Sequence, residues 1–199
     1  MKTERASRAD GAATRVALLD AAEQIMLDEG YAAVSSRRLA ARAGVNPGLV
    51  YYYYDTMDNL FVELFRRGAE HSYRRQREVF ADPQPLWGLW EAIHEQSRTA
   101  LTMEFISMAG HRKTIRAEIA DSSRRFRELQ LEEVGRILAG YPEVPAPWTA
   151  TTVVMLMSSV SRLLRMEEFF DIDTGHAETV AVIEDFLRTV EGERVPPLR

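Results

Sequence analysis

Apolar residues recur at helical spacing from about Thr14 onward. Val16, Leu19, Ala22 and Met26 share one face, joined by Leu18 and Ile25, until Gly30 closes the helix. Residues 1–12 are polar and small and read as a loose tail. A short second helix is predicted after Ser35, its cap, with Leu39, Ala40 and Ala43 turned inward. Gly44 breaks that pattern and Val45 returns inward. Asn46 can cap a third helix, with Pro47 at its first position, where a missing N–H costs nothing. That helix reaches about Tyr53. Asp55 or Thr56 caps the next, from Met57 to about Phe80, with Leu60, Phe61, Leu64 and Phe65 on one face.

Asp82-Pro83-Gln84-Pro85 is a stop. Beyond it the pattern predicts helices at about 86–99, 101–109 and 112–139. A loop with Gly140, Pro142, Pro145 and Pro147 leads to a very apolar helix at about 148–168. Asp171 to Gly175 turns the chain into a last helix at 176–191, with Val180, Ile183, Leu187 and Val190 on one side. Glu191 to Arg199 reads as a Pro-containing tail. No stretch alternates as a strand would, and no repeat occurs. The expected fold is all-α: a small N-terminal three-helix unit (1–56) joined to a larger C-terminal helical body (57–199).

Composition narrows the class. The 199 residues are 46% hydrophobic and 28% charged, enough for a real core. Cysteine is absent, which removes disulfides, thiolate metal sites and thiol nucleophiles. With no secretory pattern at the start, a cytoplasmic location is expected. Residues 144–161 carry no charge, but their threonines, serines and prolines suit a helix buried in protein, so no membrane span is expected.

The net charge of −5 disfavours nucleic acid only until its distribution is considered. From Tyr31 to Tyr54 the only charged residues are Arg37, Arg38 and Arg42. Two short helices meeting at a glycine-containing turn build a helix-turn-helix, whose second helix enters the major groove. Ala40 and Ala43 allow close approach, and Val45 and Val50 plug the small core. Arg37 can pair with a guanine edge or a phosphate. Ser35 and the helix N–H groups behind it suit a phosphate. Tyr51 and Tyr53 can each offer a hydroxyl to the backbone, and Tyr52 can reach into the groove. Four consecutive tyrosines cannot all point inward, and Tyr54 is the one assigned to the core.

The run from Gly44-Val45 through Gly48, Tyr51 and Tyr54 to Leu60, with the preceding Glu29-Gly30-Tyr31, closely resembles the TetR family of transcriptional regulators. The match is specific over about residues 14–62 and architectural beyond. The resemblance implies an all-α homodimer with a DNA-binding unit and a divergent ligand-binding body. It assigns Ser35 and Thr56 to backbone contacts at helix ends. It assigns Arg37, Pro47, Gly48 and Tyr52 to bases, and Tyr51 and Tyr53 to phosphates. Members often carry a phosphate-approaching lysine where this chain has Met57; Arg38, Arg42 or the tail arginines are the candidates to compensate. With the cap Asn46, the candidate DNA surface is Ser35, Arg37, Arg38, Asn46, Pro47, Gly48, Tyr51, Tyr52, Tyr53 and Thr56.

The body is rich in aromatic and methionine side chains, which line adaptable pockets as readily as they fill a core. Family resemblance implies a cavity bounded by the helices at 57–80, 86–99, 112–139 and 148–168. The ligand-binding candidates are Leu64, Trp87, Trp90, His94, Met103, Met108, Phe126 and Met155, for a small hydrophobic molecule. His111 and Arg112, at a helix junction, could also orient a polar group. Arg124, Arg125 and Arg127 near Glu128, Glu132 and Glu133 read as a solvated face. The four histidines lack metal-ligand spacing, so no metal or cofactor is expected. No motif of hydrolase, phosphate-loop or metalloprotease chemistry occurs, so no catalytic residue is expected. The helix at 148–168 must be covered on several sides, so with the one at 176–191 it is expected to form a four-helix homodimer interface. The expected function is a ligand-released, dimeric repressor on a double-stranded DNA operator. A rival reading is a helical carrier or enzyme whose N-terminal unit binds a protein; retention of a specific DNA fragment separates the two.

Overall fold

The computed structural model describes residues 2–94 and 99–195, with side chains at 11–94 and 100–195. These residues are helical throughout, in the order α1 (Lys2–Glu29), a 3-10 turn (Tyr31–Ala33), α2 (Ser36–Ala43), α3 (Gly48–Tyr54), α4 (Met57–Phe80), α5 (Pro85–His94), α6 (Thr99–Ala109), α7 (Lys113–Ala139), α8 (Ala150–Glu168) and α9 (His176–Glu191). No strand occurs among them. The chain forms two compact units: Met1–Glu70 with Ala100–Ser122, and His71–Thr99 with Ser123–Arg199. Both α4 and α7 contribute to each unit, so compactness divides the chain differently from a cut at 56/57.

The first unit is built on the buried face of α1, formed by Leu18, Leu19, Ala21, Ala22, Ile25 and Met26. Leu39 and Ala40 of α2, Val50 and Tyr54 of α3, and Leu60, Phe61 and Leu64 of α4 close the core, with Leu101, Phe105, Met108 and Ile115 from α6 and α7. Two sequence expectations are corrected. Val16 is 52% exposed, because two residues before Leu18 is a rotation of about 200° away from the packing face. The residues expected as a loose tail belong to α1, which starts at Lys2. Ala6, Ala9, Ala12 and Ala13 favour helix, and extending a nucleated helix adds a hydrogen bond per residue. Ion pairs tie α4 to α1: Arg15 with Glu63, and Arg67 with Asp20 (2.5 Å) and Glu23 (2.6 Å).

The second unit packs Leu86, Trp87, Leu89 and Trp90 of α5 against Val134 and Leu138 of α7, Val153, Val154 and Met157 of α8, and Ile183, Phe186 and Leu187 of α9. Thr149 caps α8 in a reciprocal box with Thr152, and the adjoining Trp148 stacks on Phe186 with ring centroids 4.0 Å apart. The helix predicted at 86–99 is seen to His94; residues 95–98 lie outside the described residues. The C-terminal segment is not free up to Val195. Glu191 accepts hydrogen bonds from the backbone N–H of Leu86 (2.9 Å) and Trp87 (3.0 Å), and from the Tyr141 hydroxyl. A carboxylate here satisfies the open N–H groups of α5 and complements its dipole. The Trp87 indole donates to Gly192 (3.0 Å), and Arg194 pairs with Asp82 (3.0 Å) and Glu91 (2.7 Å). Burial and the neighbouring Glu191 carboxylate push the Tyr141 hydroxyl far above its ordinary range.

Candidate nucleic-acid interface

The helix-turn-helix follows from local backbone chemistry. Ser35 is extended (φ −136°), its carbonyl accepts from Leu39 at 2.9 Å, and its Oγ accepts from the Arg38 N–H at 3.4 Å, starting α2. Gly44 ends α2 in the left-handed region (φ 67°), and the Val45 N–H returns to the Ala40 carbonyl at 2.9 Å. A side chain is strained at that φ, so glycine serves the turn. Asn46 then starts the second helix: its Oδ1 accepts from Gly48 at 2.8 Å and its carbonyl from Leu49 at 2.9 Å. Pro47 already has helical angles (φ −54°, ψ −30°). Thr56, rather than Asp55, caps α4, its Oγ1 accepting from Asn59 at 3.1 Å.

Burial sorts the tyrosines. Tyr54 is in the core and its hydroxyl donates to the Arg15 carbonyl at 2.9 Å. Burial pushes that phenol up to about 12, with Glu63 adding to the shift. Tyr52 is 78% exposed and meets Tyr53 edge to face at 5.0 Å. Tyr51 is exposed too. Tyr53 is half-buried and its hydroxyl lies over Gly11 of α1. The outer surface of α3 is therefore Pro47, Gly48, Tyr51 and Tyr52: two hydroxyls, an apolar ring and a helix start without a Cβ barrier. Such a surface can donate to phosphate oxygens and press against base edges.

The three arginines are not equivalent. Arg38 pairs with Glu29, and Arg42 pairs with Asp28 at 2.7 Å, so the acid-free stretch meets acids from the end of α1. Arg37 is exposed and makes no ion pair among the described residues. Neither Arg38 nor Arg42 is therefore an idle substitute for a cation at Met57, and the tail side chains at 2–10 lie outside the described residues. Met57 itself is half-buried against the first unit's core. No local spacing signalled these ion pairs, since the partners stand 9 and 14 residues apart and meet only when α2 folds back on α1. Glu104 was missed for the same reason: it accepts from the Tyr31 N–H at 2.6 Å and holds the 3-10 turn.

The ligand candidates fall into both units. Leu64 and Met108 are core residues of the first, where Met103 is exposed. Trp87 and Trp90 are core residues of the second. His94 is half-buried with its ring 5.1 Å from that of Trp90, and Phe126 meets Tyr73 edge to face at 5.3 Å. Met155 is exposed, and its sulfur accepts from Arg127. Arg112, one of the residues considered for orienting a ligand, instead pairs with Asp58 and lies over the Phe61 ring at 5.3 Å. Among the described residues no His, Cys, Asp and Glu cluster could hold a metal, and no helix is long and apolar enough to cross a membrane.

A glycine-hinged helix pair with a capped, tyrosine-bearing outer helix defines a helix-turn-helix DNA-binding protein. Residues 18–64 match the family of bacterial regulatory proteins, tetR family. The match covers the C-terminal part of α1, the helix-turn-helix and the start of α4. It is 22% identical to the HTH-type transcriptional repressor BepR of Brucella suis biovar 1, over 92% of this chain and 96% of that one. Its fold is similar to that of a TetR transcription regulator from Haloarcula marismortui (TM-score 0.68, 16% identity, covering 89% of this chain and 97% of that one). A transcriptional regulator from Saccharomonospora viridis, solved in complex with choline, is similar too (TM-score 0.66, 17% identity, covering 87% of this chain and 95% of that one). At these identities the likeness is one of fold.

Proposed function

We propose that this regulator is a homodimeric repressor, released from its operator by a small, largely hydrophobic molecule. The observation that carries the DNA half is the outer surface of α3. Tyr52 is highly exposed, Tyr51 stands beside it, and Arg37 of α2 is exposed without an ion pair among the described residues while Arg38 and Arg42 are engaged. Arg37, Pro47, Gly48 and Tyr52 face bases in this reading. Ser35, Tyr51, Tyr53 and Thr56 serve the phosphate backbone, Asn46 holds the start of the recognition helix, and Arg38 adds a nearby cation to the field. The DNA-binding domain is residues 1–56 and the rest is the ligand-binding and dimerisation domain.

Dimerisation rests on apolar surface in the second unit. Met155, Leu156, Leu163 and Met166 on α8 and Val182 on α9 are exposed in the single chain. At 100° per residue the four α8 positions fall within about 100° of one another, a single stripe of the kind two-fold interfaces bury. The ligand half rests on the aromatic and methionine content of the body, and a neighbour of this fold is solved in complex with a small molecule, choline. In this reading, ligand bound among Trp87, Trp90, His94 and Phe126 of the second unit biases α4. That helix is covalently continuous with the recognition unit. Coupling of about 1–3 kcal/mol lowers operator affinity roughly 5–150-fold.

The test is selection of bound fragments from the source genome with purified protein, followed by small-molecule release of the selected fragment. Retention of one short near-palindromic sequence, and its release by a hydrophobic compound, is the expected result. Absence of any selected fragment would sink the reading.

A further inference from the structure

The turn between α6 and α7 is part of the same compact unit as the helix-turn-helix. Leu101, Phe105 and Met108 of α6 and Ile115 of α7 are buried in that unit's core, which fixes the turn from both sides. Arg112, the last residue before α7, pairs with Asp58 in the first turn of α4, and its guanidinium lies over the Phe61 ring. The two partners are 54 residues apart in the chain. The start of α7 therefore lies beside the start of α4. That start is capped by Thr56, a residue of the candidate DNA surface.

Charge at this end of the unit is one-sided. Asp58 is engaged by Arg112, Glu63 by Arg15, and Glu118 by Arg66 at 2.6 Å, while Glu104 is turned to the Tyr31 N–H. Lys113 and Arg116 of α7 are exposed and make no ion pair among the described residues. Three residues apart, they share one face of the helix. Glu118 stands about 140–200° round the helix from them. Asp55, in the α3–α4 turn, is exposed and also makes no ion pair among the described residues, so two free cations stand against one free acid. A bare Asp58 would repel a phosphate lying at Thr56. Arg112 cancels that charge, and Lys113 and Arg116 leave the balance positive. Exposed charges act over about 10 Å at 0.1 M salt, and long cationic side chains are common donors to phosphate oxygens.

We infer that the first turn of α7 is a second contact with the DNA backbone, in which Lys113 and Arg116 reach phosphates flanking the stretch read by α3. The inference rests on the proposed DNA binding and deepens it. A contact with phosphate alone adds affinity without sequence preference. Arg112 is the positioning residue, since its pair with Asp58 holds the turn against α4. None of this is visible in the helix-turn-helix segment itself, because the cations come from a turn far along the chain.

The experiment titrates the full chain with the selected operator and with a mixed-sequence duplex of equal length across a salt series, and adds hydroxyl-radical footprinting of the operator. Lys113→Gln and Arg116→Gln are each expected to lower the slope of log affinity against log salt by about 0.9 per lost phosphate contact. Both duplexes should weaken by the same factor. Lys113→Arg and Arg116→Lys keep the charge and should keep the wild-type slope. The double glutamine variant should lose backbone protection outside the half-site and retain it inside. Arg77→Gln removes an exposed charge from the second unit and should leave the slope unchanged. An unchanged slope in the double variant overturns the inference. So does an equal fall in Arg77→Gln, which reduces the effect to net charge, or a loss confined to the operator. If wild type binds neither duplex, the DNA-binding reading fails and the inference falls with it. If wild type holds the operator and the double variant matches it in slope and footprint, the inference alone fails.

Discussion

Arg42 of α2 donates to Asp28 of α1 at 2.7 Å, one turn along from Arg38, which pairs with Glu29. The two pairs clamp the first helix of the DNA-reading motif to the long helix beneath it. They also separate the cations into two engaged arginines and the exposed Arg37. Replacing Arg37 or Tyr52 by alanine is therefore expected to weaken specific operator binding by about 1–3 kcal/mol. Arg42→Ala is expected to lose less, because surface ion pairs contribute about 0–1 kcal/mol. Fluorescence anisotropy with the selected operator checks this; normal binding by both the Arg37 and Tyr52 variants would refute the base-reading assignment.

Met57 stands where a phosphate-approaching lysine is common in the family, and here it is half-buried against the core. A lysine at this place can lay its stem on the same apolar surface and extend its charge outward. Met57→Lys should strengthen DNA binding at low salt and steepen the slope of log affinity against log salt by about 0.9. Titrations across a salt series measure the slope. An unchanged slope would mean that position 57 does not face the backbone.

Tyr54 links α3 to α1, and its raised pKa has a consequence at alkaline pH. The folded value of about 12 lies above the ordinary phenol value of 10. The stabilisation is thus fully present below about pH 10 and is lost as pH rises through about 12. Tyr54→Phe should be less stable than wild type at pH 7 by about 0.5–1.5 kcal/mol, the worth of one hydrogen bond. It should also show a shallower loss between pH 10 and 12. Urea denaturation at pH 7, 10 and 11.5 reads both effects.

Glu191 bridges three donors: two N–H groups at the start of α5 and the Tyr141 hydroxyl. Glu191→Ala leaves them without that partner, and a cost of about 1–3 kcal/mol is expected. Thermal unfolding gives the value, and indole emission should change as well, because Trp87 sits at this junction. A variant as stable as wild type would show that the C-terminal clamp is decorative.

How much of this was legible in the chain depends on range. Ser35, Gly44, Asn46 and Pro47 act through bonds to residues two to five positions away, so their roles as caps and hinge follow from residue type and order. Tyr54 could be assigned inward because helical spacing leaves only part of a tyrosine run able to face the core. Val16 was misassigned because three apolar residues, 16, 18 and 19, offer two overlapping stripes, and only packing chooses between them. The extension of α1 to Lys2 was hidden by Gly11 and the polar tail residues, which look like a loop until the helix behind them is nucleated. Asp28, Glu29, Glu104 and Glu191 gave no local signal for their contacts. Their roles exist only where α2 meets α1, where α6 approaches the 3-10 turn, or where α9 ends against α5.

In the proposed dimer, the exposed α8 stripe is the surface that the partner covers. Leu163 is 48% exposed in the single chain. Leu163→Glu should leave folding intact, because the side chain faces outward, yet convert the dimer to monomer at micromolar concentration. Sedimentation equilibrium distinguishes the species, and a wild-type protein that is already monomeric there would count against the interface.

The central claim is that two α3 helices, one from each protomer, read one operator. Hydroxyl-radical and methylation footprinting of the selected fragment tests it most directly. The account predicts two equivalent major-groove half-sites related by a two-fold axis, their centres a helical turn or a multiple of about 34–36 Å apart, with methylation interference lost in the Arg37→Ala variant at a guanine. A single unpaired half-site, or protection spread evenly along the fragment and unchanged by Arg37→Ala and Tyr52→Ala, would contradict it.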